Sequence, residues 1–228
     1  MIRNKISGGA LVLGAVILLS AFCCGEAYAA GITVKAGTLG AGGDLTIGWT
    51  ERVNARLGFN AYSYTQKQAE SFTDVGDIKF TGELKLQTIA ALLDWHPWEN
   101  GFRFSLGVML NNNEMTLTGL PADKVKIGNY NSSITSAKGS LTFSQLSPYI
   151  GLLGYGNAAD DESQWHFAFD LGILLHGTPD LEVKGYTENW LEQIWLDYEV
   201  DTEVAKWQKE ADKYQYWPVL SVGISYTF

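Results

Sequence analysis

The sequence predicts an all-β protein: an antiparallel transmembrane up-and-down β-barrel of about eight strands, with one amphipathic helix in the last long loop. Three observations predict it. Apolar residues alternate with polar or small ones over repeated stretches of about ten, the length a tilted strand needs to cross a hydrocarbon layer. Aromatic residues (Trp49, Trp95, Trp98, Tyr155, Trp165, Trp217, Tyr226, Phe228) gather near the ends of those stretches, as in an interfacial girdle. Connections are short at 50–54, 95–101 and 156–164 but long at 66–78, 112–138 and 177–216, the asymmetry of short periplasmic turns and long surface loops.

Composition narrows the function classes. The chain has 228 residues and a net charge of −9 with only 16 Lys and Arg, so it has no basic stripe to neutralise a phosphate backbone. With 25 Gly, 8 Trp, 11 Tyr and 10 Phe it is too rich in aromatics for a disordered chain. No stretch after residue 29 approaches 18 apolar residues, which excludes a helical membrane span there.

Residues 1–29 read as a signal peptide. Arg3 and Lys5 supply the positive start, 10–24 is uncharged, and Ala27-Tyr28-Ala29 is the small-x-small cleavage pattern. Residues 30–228 then form a single domain. Both cysteines, Cys23 and Cys24, fall in the removed part, so the mature domain has no disulfide framework. A lipid-modified cysteine and a retained anchor helix are the competing readings; Phe22, bulky directly before Cys23, counts against the first.

The strands follow in order. Leu39, Ala41, Gly43, Leu45, Ile47 and Trp49 alternate with Thr38, Gly40, Gly42, Asp44, Thr46 and Gly48, and Ala55, Leu57, Phe59 and Ala61 continue the pattern. Leu84, Leu86, Thr88, Ala90 and Leu92 are read as the lipid face of the next, with Glu83, Lys85, Gln87, Ile89 and Ala91 inside. Phe102, Phe104, Leu106, Val108 and Leu110 alternate with Arg103, Ser105, Gly107, Met109 and Asn111. The stretch 139–155 is irregular, with Pro148 expected to mark a bulge or face switch. Trp165, Phe167, Phe169, Leu171, Ile173 and Leu175 alternate with His166, Ala168, Asp170, Gly172, Leu174 and His176. The last strand sets Leu220, Val222, Ile224, Tyr226 and Phe228 against Val219, Ser221, Gly223, Ser225 and Thr227. That makes seven, and even parity asks for an eighth, from 32–35, 124–130 or 181–186. A soluble sandwich would also alternate, and a soluble periplasmic ligand-binding protein is therefore an alternative class.

The segment 187–214 breaks the pattern. Glu188 and Glu192 suit a helix N-terminus, and Val200, Val204, Trp207, Ala211 and Tyr214 recur at helical spacing. Residues 180–214 hold ten acids and four lysines. The insert is read either as a lid over the barrel mouth or as a helix on its rim.

The tail from Val219 to Phe228 resembles the C-terminal signal read by the outer-membrane barrel assembly machinery, with Leu220, Val222, Ile224, Tyr226 and Phe228 in the alternate positions. Together with the strand–turn–strand of 38–62 it resembles the small OmpA-like and OmpW-like barrels of Gram-negative bacteria, as a sister family. The resemblance implies a cell outer membrane location, contact with outer-membrane lipid and with the assembly machinery, and no particular functional residue.

Chemistry is sparse. Gly37 to Gly43 is glycine-rich but lacks the Gly-Lys-Ser/Thr of a phosphate cradle. His96 and Glu99 make too few ligands for a metal centre, so no metal or cofactor is expected. His176 is the one histidine placed for a Ser/His/acid set, which keeps a lipid-modifying hydrolase or acyltransferase as an alternative to a non-catalytic protein. Asp44, Arg56, Glu83, Lys85, Arg103, His166 and Asp170 are expected to form a paired charge network inside the barrel, with Arg56 and Arg103 facing Asp44 and Asp170. A lumen so filled disfavours a general porin and leaves a structural or surface-interaction role, or slow passage of a small solute.

Overall fold

The computed structural model describes residues 29–73, 76–98, 101–121, 125–127, 130–132, 134–159, 164–187 and 190–228. Apart from Ala29, the expected signal peptide lies outside them.

Eight strands close a barrel: β1 (Ala30–Gly37), β2 (Gly40–Thr50), β3 (Val53–Thr73), β4 (Gly76–Trp95), β5 (Phe102–Asn111), β10 (Leu146–Tyr155), β11 (Trp165–Leu175) and β13 (Tyr216–Thr227). Neighbours pair antiparallel all the way round, and the β1–β13 ladder closes the ring with Gly31 opposite Thr227 and Gly37 opposite Ser221. The eighth strand is thus the first of the three sequence candidates. Its alternation is muted: Ile32 and Val34 face out, Thr33 is buried, and Ala and Gly fill the ends.

β3 and β4 are twice the length of the others, with 21 and 20 residues. Their lower halves belong to the barrel. Their upper halves stand above it and carry an open sheet, because β4 pairs with β5 over Thr88–Trp95 and with β6 (Glu114–Pro121) over Ile78–Lys85. β9 (Ile134–Thr142) and β12 (Asp180–Thr187) extend that sheet outward, and β7 (Val125–Ile127) and β8 (Tyr130–Ser132) form a separate small hairpin. The segment 66–78, expected to be a loop, is mostly paired strand. The second and third candidates for an eighth barrel strand fall on β7–β8 and on β12, outside the barrel.

A helix, α1 (Trp190–Ala211), follows β12. Leu196 and Val200 are buried against Val183 of β12, with Val204 alongside. The helix therefore packs on the outer sheet and not inside the barrel; of the residues predicted for its apolar stripe, Trp207 and Tyr214 are exposed. Of the two acids expected at the helix start, Glu188 lies outside the described residues.

On β2, β3, β5, β11 and β13 the greasy face points outward as alternation requires: Phe104, Leu106, Phe167 and Ile224 are exposed while Arg103, Ser105, Ala168, Asp170 and Ser225 are buried. Leu39, at the β1–β2 turn, is an exception and points in. β4 is reversed relative to expectation. Leu86, Thr88, Ala90 and Leu92 are buried in the lumen, and Ile89, Leu93 and Trp95 face out. The physical reason is that β4 leaves the barrel partway along its length. Above the rim its outward side chains, Lys85 and Glu83, meet water; below it, on the same face, Ile89 and Leu93 form part of the apolar exterior. Period two is kept throughout, but the face that has to be apolar changes. β10 has its register shift between Gly151 and Gly154, with Leu152 and Leu153 both exposed, whereas Pro148 sits in regular register opposite Val108.

Candidate functional site

The lumen is layered. Its lower half is charged. The Arg56 guanidinium on β3 donates from Nη1 to Asp170 Oδ2 at 3.0 Å and to Asp44 Oδ2 at 3.3 Å, and from Nη2 to Asp94 Oδ1 at 2.9 Å. Its Nε lies 2.8 Å from Asp94 Oδ2. Arg103 on β5 donates from Nη2 to Asp170 Oδ1 at 2.8 Å and from Nη1 to the Gly156 carbonyl. Lys35 Nζ on β1 lies 2.8 Å from Asp44 Oδ1. Ser105 Oγ donates to Asp94 Oδ1 at 2.6 Å. Three cations thus face three carboxylates, all buried but the partly buried Lys35, so charge cancels within one layer. Such a layer is tolerable only because each charge is paired and hydrogen-bonded.

Of the seven expected network residues, four meet here: Asp44, Arg56, Arg103 and Asp170. Lys35 and Asp94 complete the layer and were missed. Lys35 sits on the strand that sequence reasoning could not settle; Asp94 lies on β4 beyond the stretch 83–92 read from the sequence, and the observed parity of β4 places it inside. Glu83 and Lys85 are corrected: they form a 4.0 Å pair above the barrel, each about half exposed. His166 is half-buried at the lower end of β11, with its Nε2 3.1 Å from Thr227 Oγ1.

Beneath the charges, the β10–β11 turn folds into the barrel floor. Asn54 Nδ2 donates to Asn157 Oδ1 at 2.7 Å, and Thr227 Oγ1 donates to the Ala158 carbonyl at 3.1 Å. A side chain at Gly31 would strike that same carbonyl, so the close approach requires glycine. His96, in the β4–β5 turn, is buried beside Asn54 at 3.3 Å; Glu99, the residue weighed with it as a metal pair and set aside, lies outside the described residues.

Above the charges, Leu39, Ala90, Leu92, Met109, Tyr149, Leu174 and Val219 pack into an apolar layer under Trp217. His176 lies just beyond it, its ring edge-on to Phe143 at a centroid distance of 4.6 Å. Among the described residues, one cavity of about 20 Å³ lies above Arg56 and another of about 10 Å³ below it, each of water-molecule size.

The sheet above the barrel has two faces. Cross-strand partners share a side, so Tyr64, Leu84, Met115, Leu141 and Leu181 form one row, on the side that continues the lumen face of β3 and β4. Thr65, Glu83, Thr116, Ser140 and Glu182 form the matching polar row on the other side. α1 covers the β12 end of the apolar face. Tyr62, Tyr64, Met115 and Leu117, at the other end, remain exposed.

No family model matches the chain, and no curated protein matches it. Solved structures do. The chain is similar to CarO2 of Acinetobacter baumannii, with a TM-score of 0.56, 19% identity, and 89% of this chain and 100% of that one covered. It is similar also to CarO of the same organism, with a TM-score of 0.53, 18% identity, and coverage of 87% and 97%. A major outer membrane protein from Thermus thermophilus matches with a TM-score of 0.41 at 13% identity, over 87% of this chain and 99% of that one. The likeness to the two Acinetobacter proteins is one of fold: a closed eight-stranded antiparallel barrel.

Proposed function

We propose that this chain is a non-catalytic outer-membrane protein whose closed barrel anchors a sheet-and-helix head at the cell surface, where the head interacts with a partner. The observation that carries the reading is the change of apolar face along β3 and β4. Below the rim, Phe59, Ile89 and Leu93 point away from the barrel axis, as lipid contact requires; above it Ser63, Thr65, Glu83 and Lys85 occupy that direction. A soluble protein would not build a ring of exposed Phe, Leu, Ile and Trp around its whole girth. A transport role is disfavoured by the neutral charge layer and the apolar layer stacked in one lumen, with a cavity of about 20 Å³ between them.

Residues 1–29 are proposed to direct export and to be cleaved after Ala29; Ala30 opening β1 supports that boundary. The exposed Leu220, Val222, Ile224 and Phe228 support recognition of β13 by the barrel assembly machinery. Deletion of Phe228 should reduce folded barrel in the membrane fraction, and normal folded yield would remove that part of the reading.

Topology is tested with single cysteines in intact cells. Lys85→Cys should react with a membrane-impermeant maleimide, and Arg52→Cys in the β2–β3 turn should react only after the outer membrane is opened. The reverse pattern would overturn the surface assignment of the head.

A further inference from the structure

The head has two sheet edges, and the fold treats them differently. At the β12 edge, α1 supplies glutamines that stand in for a neighbouring strand. Gln208 Oε1 accepts from the Leu181 amide at 3.0 Å and its Nε2 donates to the Pro179 carbonyl at 2.6 Å. Gln193 Oε1 accepts from the Thr187 amide at 3.0 Å and its Nε2 donates to the Gly185 carbonyl at 2.8 Å. Both ends of that edge are thus occupied, which is how natural proteins blunt an open strand.

The β3 edge has no such cover among the described residues. β2 stops pairing with β3 at Ala41 opposite Ala61, while β3 runs on to Thr73 with β4 on its other side only. The direction of the free backbone groups follows from the register. The Gly48 amide donates to the Ala29 carbonyl, so even-numbered β2 residues address β1 and odd-numbered ones address β3. Odd-numbered β3 residues opposite them, up to Ala61, therefore address β2. Beyond Ala61, the N–H and C=O groups of Ser63 and Thr65 keep that direction with no strand opposite. Beside this edge lies the exposed end of the apolar face: Tyr62 and Tyr64 on β3, Met115 and Leu117 two strands over.

We infer that the β3 edge is a strand-addition site for an extended polypeptide segment of a partner, with apolar side chains at alternate positions. Backbone pairing at Ser63 and Thr65 supplies the hydrogen bonds, and the alternate side chains continue the apolar row of Tyr62 and Tyr64. A bare edge and a bare apolar face meeting at one place, opposite an edge that the same head caps with two glutamines, single out this occupant. The inference rests on the interaction role proposed for the head, but its test in detergent does not depend on which side of the membrane the head occupies.

The probe is the fluorescent strand peptide Lys-Thr-Val-Thr-Val-Thr-Val-Thr-Lys, titrated against the full barrel refolded in detergent and read by anisotropy. Saturable binding is expected. The double substitution Ser63→Pro and Thr65→Pro removes only amides that face the open edge, a position where proline is tolerated, and should weaken binding by about tenfold or more. If that variant does not refold, the same peptide N-methylated at alternate residues should fail against the unaltered protein. Absence of saturable binding, undiminished binding to a folded proline variant, or equal binding of the methylated peptide would each overturn the proposal. A dimer of the peptide-free protein that the proline pair abolishes would assign the edge to a second copy and overturn the partner reading.

Discussion

Arg56 and Asp170 are 114 positions apart in sequence and joined by two hydrogen bonds across the lumen, Nη1 to Oδ2 at 3.0 Å and Nη2 to Oδ1 at 3.2 Å. They tie β3 to β11, strands that share no ladder. Because Asp44 and Asp94 lean on the same guanidinium, its loss leaves three buried carboxylates with only Lys35 and Arg103. Arg56→Ala should destabilise the barrel by about 3–5 kcal/mol. Urea unfolding in detergent measures this. Adding Asp170→Asn should restore part of the loss, since one uncompensated charge disappears; a double variant no better than the single would contradict the pairing.

The orientation of β4 gives a second expectation. Ala91 sits on its outward face midway down the barrel portion, opposite Leu57 and Val108. An arginine there should cost about 2–4 kcal/mol, the depth-dependent penalty for charge toward lipid. Lys85→Ala, on the same face but above the rim, should change stability by about 1 kcal/mol or less, because its partner Glu83 is equally solvated. If Ala91→Arg were harmless and Lys85→Ala severe, the face assignment would be inverted.

These two residues also show how far the sequence could be read. Closure, the greasy exterior and most of the charged layer were legible because a strand held wholly inside the barrel keeps one apolar side. β11 and β13 do so from end to end. β4 does not: in its upper half the polar Glu83 and Lys85 mark the outside, while in its lower half that role belongs to Ile89 and Leu93. Taking Leu84 and Leu86 as the lipid face put Glu83 and Lys85 into the lumen, and Asp94 lay beyond the stretch so read. The surface sheet was hidden for a related reason. β6, β9 and β12 are recruited by a protruding hairpin, and pairing between segments so far apart leaves no local periodic mark. Nor could spacing show that Gln193 and Gln208 address backbone rather than solvent.

A pH dependence follows from His176, which lies beyond the last residue of β11. Burial against Phe143 holds its imidazole below the ordinary histidine range. A base with a depressed folded-state pKa binds fewer protons folded than unfolded, so stability rises with pH across that window. Relative to a His176→Gln variant, the native barrel should lose stability as pH falls below about 6.5, and the two should run parallel above it. Denaturation midpoints measured between pH 5 and pH 8 would show it. A difference that stays constant across the range would mean that His176 does not titrate in this way.

The capped edge makes a last, separable prediction. Gln193 and Gln208 each accept from one β12 amide at the sheet margin, those of Thr187 and Leu181. Replacing both by alanine leaves the packing of Leu196 and Val200 on Val183 intact, so α1 should stay docked. What changes is the edge itself. Exchange of the Leu181 and Thr187 amides should accelerate by about tenfold, the loss of roughly one net hydrogen bond at each, while amides of β11 and β13 keep their protection. With its backbone uncovered, β12 should also acquire affinity for the strand peptide described above, so that the folded barrel binds two equivalents rather than one. Unchanged exchange at Leu181 and Thr187 would show that α1 guards this edge by its bulk, through Leu196 and Val200, and that the glutamine amides contribute little.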